Sequence, residues 1–116
     1  MTPRQRDVWL AELDPTVGHE QAGRRPVVVV SVDQLNQAPP PGLAIVVPLT
    51  STYRGQRLHV PIEPPEGGLE RRSFALVEMI RSVSHRWLIE RRGTVRPATL
   101  QEIARRLHVL TRAPSV

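Results

Sequence analysis

Residues 7–31, DVWLAELDPTVGHEQAGRRPVVVVS, carry the strongest structural pattern of the chain. Both ends of this stretch are rich in the β-branched and aromatic residues that favour strands. Residues 7–13 predict a first strand, and the unbroken run Val27–Val30 predicts a strand that is buried on both faces. The polar residues 14–25 between them end before Pro26 and predict a long loop with little to bury. Long loops between well-formed strands often carry function.

The rest of the chain predicts further strands and one helix. A second continuous apolar run predicts a strand, an alternating segment interrupted by Pro61 predicts an edge strand, and a third segment is the longest strand candidate. A short Arg-rich segment, His85–Gly93, follows, and the last apolar residues recur at helical spacing. The strand candidates are Ala44–Leu49, residues 58–62 and Ser73–Val83, and the helix carries Leu100, Ile103, Ala104, Leu107 and Leu110.

Two starting points are open for this helix: Pro97 as its first residue, or a capping box formed by Thr99 and Glu102. Five or six short strands followed by one helix predict a mostly β protein of the α+β class. We expect a small barrel or half-barrel with the helix packed against it. The length of 116 residues predicts a single domain, residues 1–116.

The charge of the chain favours a polyanionic partner such as RNA. Its formal net charge is +5, and every one of its 16 cationic residues is arginine. A guanidinium is always charged and binds phosphate oxygens in pairs, although a GC-rich genome would also explain the absence of lysine. The absence of cysteine excludes thiolate metal sites and cysteine nucleophiles. No apolar run reaches the roughly 20 residues that cross a membrane, so we expect a cytoplasmic protein.

Residues 7–31 resemble the signature of the MazF/PemK family of toxin–antitoxin endoribonucleases. That signature is a first strand, Asp-Pro, then Gly-x-Glu-Gln-x-Gly-x-Arg-Pro and an apolar strand. Val47–Ser51 is similar to the second motif of the family, and Glu78–Arg81 is similar to the third. Met79 departs from the Gln of many members. Leu76 stands where the PemK branch has an Arg, so the chain resembles the MazF-like branch.

The resemblance implies an SH3-like or CcdB-like β-barrel of five to seven strands with a C-terminal helix. It implies a metal-independent, sequence-selective endoribonuclease that cuts single-stranded mRNA and thereby inhibits translation and growth. The products would be a 2′,3′-cyclic phosphate and a 5′-hydroxyl end. The resemblance also implies a homodimer with the RNA along the subunit junction, and a small, acidic, MazE-like antitoxin as partner. No cofactor and no metal ion are expected.

Metal-free RNA cleavage needs a base for the 2′-hydroxyl proton, charge stabilisation at phosphorus and an acid for the leaving oxygen. Arg25 is the first candidate, because a guanidinium before Pro26 could clamp the scissile phosphate. The hydroxyl of Thr50 follows a buried strand and could donate to a phosphate oxygen. Glu20 could orient Arg25 or accept the proton, although an ion pair with Arg24 is an equal alternative.

Other residues are expected to support the site or to bind RNA. Glu78 shares a strand face with apolar residues if Ser73–Val83 is one strand. Such a carboxylate is costly unless it is paired, and Arg81 or Arg25 are its expected partners. Tyr53 is the best candidate to stack on a base. The remaining candidates are His19, Ser51, Arg54 and Arg57.

Two other functions stay open. A CcdB-like toxin shares this fold but traps gyrase without nuclease activity, and the presence of Arg25 and Thr50 places it second. An RNA-binding module that has lost catalysis is the other alternative.

Overall fold

A computed structural model describes residues 2–13, 23–40 and 42–115 of the chain. These residues form seven strands, which are β1 (Asp7–Glu12), β2 (Arg24–Val29), β3 (Leu43–Thr50), β4 (Val60–Ile62), β5 (Ser73–Ala75), β6 (Arg81–Ser84) and β7 (Leu88–Thr94). They also form a short helix α1 (Asp33–Asn36), a C-terminal helix α2 (Pro97–Thr111) and three short 3₁₀ turns at Glu66–Gly68, Val77–Met79 and His85–Trp87.

The strands form one sheet in the order β4-β5-β3-β2-β1-β7, and β6 also pairs with β3. All the pairings are antiparallel. The predicted mostly β class with a C-terminal helix is confirmed. The sheet does not close on itself, because β4 and β7 are the two ends of the path, so "barrel" describes it only loosely. The predicted edge position of the strand around Pro61 is also confirmed, since β4 ends the sheet.

One predicted element is wrong in detail, and one strand was not predicted. The predicted single strand Ser73–Val83 is broken by the 3₁₀ turn Val77–Met79, so β5 pairs with β3 near its end and β6 pairs with β3 near its start. The Arg-rich segment His85–Gly93 is largely the strand β7, which pairs with β1. The strand pattern is hidden because residues 89–92 are all exposed, so the segment shows no alternation of buried and exposed positions.

The apolar residues divide into two layers, one on each face of the sheet. Successive side chains of a strand point to opposite faces. Val28 and Val47 therefore belong to the core on the α2 side, which contains Ile103, whereas Val27 belongs to the other core. The accessibility of Val27, Val28 and Val29 is zero, which confirms a strand buried on both faces. Burying a side chain of this size contributes about 1.5–3 kcal/mol.

Helix α2 begins at Pro97, and the capping box is not formed. Instead, the carboxylate of Glu66 accepts hydrogen bonds from the backbone N–H of Arg96 at 2.9 Å and from the hydroxyl of Thr99 at 2.5 Å. Burial would raise the pKa of Glu66, but these hydrogen bonds and the Arg96 guanidinium lower it below the usual value. A carboxylate from a distant turn therefore caps the helix: it binds the backbone N–H of the N-cap residue Arg96 and the side chain of Thr99, next to the positive end of the helix dipole.

The turn that carries Glu66 packs directly against β7. Gly68 has a φ of +69°, and a Cβ there would lie 2.1 Å from the carbonyl oxygen of Arg92. Only glycine fits both the left-handed conformation and this backbone contact. The contact fixes the turn against the sheet and so fixes the cap of α2.

Candidate functional site

The two principal candidate residues lie opposite each other on neighbouring strands. In the β2–β3 register, Val27 faces Pro48 and Val28 faces Val47. Continuing this register by two residues from Val27 places Arg25 opposite Thr50. Residues that face each other across an antiparallel pair project on the same side of the sheet, with their Cβ atoms about 4.5–5.5 Å apart. Arg25 and Thr50 therefore belong to the same face and the same end of the sheet.

Thr50 is the last residue of β3 and is half-buried. Its Oγ1 accepts a hydrogen bond from the backbone N–H of Thr52 at 3.2 Å, which leaves the hydroxyl proton available for another acceptor. Ser51 follows outside the strand and is exposed. On its other side Thr50 faces Phe74 in β5, so the row across the sheet runs from Arg25 through Thr50 to Phe74.

Arg25 lies within β2, whose first residue is Arg24, and not at the end of the preceding loop as predicted. Its strand position fixes its backbone opposite Ala11 of β1. Arg24 points to the other face and has Glu12 at 3.8 Å. Partial burial and, after it, the positive charge of Arg54 lower the pKa of Arg25. The positive charges of Arg25 and Arg54 therefore repel each other at this site, and a bound anion would offset this repulsion.

Glu78 differs from the prediction in both its backbone and its partner. It lies in the 3₁₀ turn Val77–Met79 and not on an apolar strand face. Its carboxylate oxygens lie 3.0 and 2.9 Å from Nε2 of His59, and neither Arg81 nor Arg25 is the ion-pair partner found in the described structure. Desolvation would raise the pKa of Glu78, but the hydrogen bond from His59 and the charge of Arg54 contribute to lowering it.

Tyr53 lies at the rim of the same end of the sheet. Its side chain is 70% exposed, and its ring packs at 5.3 Å and a 50° angle against the ring of Phe74. The guanidinium carbon of Arg72 lies 5.1 Å from the centre of the Phe74 ring. The ring of Tyr53 is positioned by Phe74 and remains exposed, so it is still the best candidate to stack on a base. Arg72 is also paired with Glu63.

The remaining candidates fall into two groups. Arg54 and Arg57 belong to the exposed segment 51–57 between β3 and β4. Arg106 of α2 donates to the carbonyl oxygen of Arg57 at 2.8 Å, which ties the end of this segment to the helix. Glu20 and His19 lie outside the described residues, so their predicted roles stay predictions.

A cavity of about 270 Å³ opens beside Thr50 and Ser51, but on the opposite face from Arg25. Its apolar lining residues Leu10, Pro26 and Leu49 alternate with the residues of the Arg25 row. Thr50 touches both regions because the sheet ends there. Within the described part of the chain, this cavity and the row of Arg25 and Thr50 therefore lie on different faces of the sheet. The candidate site is assigned to the row because its guanidinium and hydroxyl groups can bind phosphate.

Sequence reasoning did not assign a role to His59, Phe74 or Arg72. The only local signal for His59 was its place in an alternating strand, where a buried polar side chain requires a partner. Among residues 2–13, 23–40 and 42–115, no group of three or more His, Cys, Asp or Glu side chains has the proximity that a metal ion requires. The helices in this part of the chain are too short or too polar to span a membrane.

The fold and the site define a class: a small antiparallel-sheet protein in which guanidinium and hydroxyl groups meet at a strand end and suit a phosphate-bearing ligand. The chain belongs to the family of PemK-like and MazF-like toxins of type II toxin–antitoxin systems, whose model matches residues 4–111. The predicted family resemblance is confirmed.

Relatives of known name cover most of the chain. It is 36% identical over 109 residues to the endoribonuclease toxin MazF of Escherichia coli (strain K12), covering 93% of each chain. It is 38% identical over 93 residues to the endoribonuclease EndoA of Bacillus subtilis (strain 168), covering 78% of each. The crystal structure of MazF from Deinococcus radiodurans has a TM-score of 0.79 and 26% identity, covering 96% of this chain and 97% of that one.

Proposed function

We propose that this chain is the toxin of a type II toxin–antitoxin system and a metal-independent endoribonuclease that cuts single-stranded RNA at selected sequences. Membership of the family supports the toxin role. The names of the two endoribonuclease relatives support cleavage of RNA. Cutting mRNA would inhibit translation and growth, and we place this activity in the cytoplasm.

The proposed reaction is an internal transesterification. The ribose 2′-oxygen loses its proton and attacks phosphorus, and the bond from phosphorus to the 5′-oxygen breaks after a phosphorane intermediate. The leaving oxygen takes up a proton, so that the products are a 2′,3′-cyclic phosphate and a 5′-hydroxyl end. The residues must therefore accept one proton, donate another and stabilise the added negative charge.

The row of Arg25 and Thr50 carries this proposal. The guanidinium clamps the non-bridging oxygens of the scissile phosphate, and the Thr50 hydroxyl donates to one of them. Arg54, whose charge acts on Arg25, adds to the positive potential that the phosphorane needs. Glu20 is the proposed base or the residue that orients Arg25, and His19 is the second candidate for proton transfer.

Incubating the purified protein with a long mixed-sequence RNA in EDTA tests the reaction. We expect cleavage at a limited set of sites, and end analysis should find cyclic phosphate and 5′-hydroxyl ends. A loss of cleavage in EDTA that Mg²⁺ restores would refute metal independence. Binding of RNA without any cleavage would favour the catalytically inactive RNA-binding module.

Arg25→Ala tests the proposed catalytic group. We expect a loss of cleavage of about 100-fold to 1000-fold, as for removal of one transition-state donor, with folding unchanged. Arg105→Ala is the matched control, because it removes one positive charge from an exposed position on α2, where Arg105 is paired with Glu102. Equal activity of Arg25→Ala and the control would remove the basis of the mechanism.

We also propose a homodimer with RNA bound along its subunit junction, and an acidic MazE-like antitoxin as partner. Structural relatives include a mycobacterial endoribonuclease in complex with its cognate antitoxin, and at 22% identity this likeness establishes only the fold. The net charge of +5 suits an acidic partner. The family match gives no support to a gyrase-trapping, CcdB-like toxin, which the RNA assay above would also distinguish.

A further inference from the structure

One buried histidine lies next to the proposed RNA site without belonging to it. The side chain of His59 is only 3% exposed, and its Nε2 contacts both oxygens of Glu78 at 2.9 and 3.0 Å. Its Nδ1 is buried and has no hydrogen-bond partner within the described residues. An unpaired nitrogen lone pair is tolerated at lower cost than an unpaired N–H. With a carboxylate as its partner, Nε2 carries a proton, and this N–H donates to Glu78.

The histidine is held in place from a second direction. Arg106 of α2 donates to the carbonyl oxygen of His59 at 2.6 Å and is itself paired with Glu102. The backbone N–H of His59 donates to the carbonyl oxygen of Gln56 at 3.1 Å, which closes the segment that carries Tyr53 and Arg54. The position of the Nε2 donor is thus set by the helix and the loop together, independently of Glu78.

Glu78 accepts from this donor and also interacts with a positive charge of the site. Its side chain is 41% exposed, so it is free to change rotamer on the solvent side. The charge of Arg54 acts on Glu78, and the same charge acts on Arg25. In the described part of the chain, no hydrogen bond or ion pair engages the Arg54 guanidinium. A carboxylate released from His59 would therefore be attracted to Arg54 and would compete with the RNA phosphate for it.

We propose that His59 is a positioning residue that restrains the Glu78 carboxylate, so that Arg54 stays available for the phosphate of the RNA. This role rests on the proposed function, because it concerns the same site. It also makes a distinctive prediction. Loss of the restraint should weaken RNA binding only while Glu78 keeps its negative charge.

Four variants test this coupling. His59→Phe removes the donor and keeps an aromatic ring in the buried space. His59→Gln keeps an N–H donor near the position of Nε2. Glu78→Gln removes the competing charge, and His59→Phe/Glu78→Gln combines both changes. The probe is a mixed-sequence RNA that is fully 2′-O-methylated, since it has no 2′-hydroxyl to react and its Kd is measured without cleavage.

We expect His59→Phe to weaken binding of this probe about fivefold to tenfold, as for capture of one guanidinium by a carboxylate. The Kd of His59→Gln for the same probe should stay within about twofold of the wild-type value. The double variant should regain most of the affinity that His59→Phe loses. A merely structural role for His59 predicts the opposite, because the double variant would then bind no better than the single one.

Two further measurements keep the test decisive. If His59→Phe does not fold, His59→Asn replaces it, because its shorter amide lies near Nδ1 and does not reach Glu78. An NMR resonance from the hydrogen-bonded Nε2–H should be present in wild type and absent in Glu78→Ala, which leaves no acceptor. If wild type cleaves ordinary RNA but the double variant does not regain affinity for the probe, only this inference is overturned. Absence of any cleavage by wild type would overturn the proposed function, whatever the affinities of the variants.

Discussion

Replacing Thr50 by valine tests the proposed site with little change to the fold. Valine has the shape of threonine and is as suited to a strand, so β3 should keep its pairing with β5. The hydroxyl accepts one hydrogen bond, from Thr52 at 3.2 Å, and this bond is exposed to solvent. Its loss should cost at most about 0.5–1.5 kcal/mol of the free energy of unfolding.

The effect on cleavage should be much larger. If the Thr50 hydroxyl donates to the phosphorane, its loss removes one preorganised donor, which costs about 2.7–4 kcal/mol and lowers kcat roughly 100-fold to 1000-fold. The assay measures single-turnover cleavage of a defined RNA, with urea unfolding in parallel. Thr50→Ser is the control, since it keeps a hydroxyl and should retain most activity. A valine variant that cuts within threefold of wild type, or a serine variant that is equally impaired, would refute this role.

Three other predictions concern the supporting structure. Glu66→Gln should lower the free energy of unfolding by about 1–2 kcal/mol at pH 7, because the Thr99 and backbone donors lose a charged acceptor. Because the pKa of Glu66 is lowered on folding, its contribution is present above pH 4.5 and is lost as the pH falls below that value. In urea unfolding, the difference in the free energy of unfolding between wild type and Glu66→Gln should therefore become smaller toward low pH. A difference that does not change with pH would contradict this role of the Glu66 carboxylate. Gly68→Ala should destabilise the fold by about 1–3 kcal/mol, because a Cβ would clash with the Arg92 carbonyl; an unchanged thermal midpoint would show that the turn can move away. Tyr53→Leu should weaken binding of uncleavable RNA by about 1–3 kcal/mol if the exposed ring stacks on a base. An unchanged Kd would show that Tyr53 packs against Phe74 without contacting the RNA.

Elements with a strong local pattern could be predicted from the amino-acid sequence alone. The Val27–Val30 run, the alternation around Pro61 and the helical spacing after Pro97 are each read from neighbouring residues. All three correspond to the observed elements. The family signature also indicated Arg25 and Thr50, because a motif fixes residue types at set spacings even where their partners are unknown.

Contacts between groups that are far apart in the sequence became known only from the packing of strands and helices. His59 and Glu78 are 19 residues apart, and neither has a local pattern that specifies the other. The turn at Val77–Met79 exists because β5 and β6 pair with different parts of β3, which no periodicity within Ser73–Val83 reveals. Backbone periodicity is set by residues three or four positions away at most, whereas the partner of a buried polar group is set by how strands and helices pack.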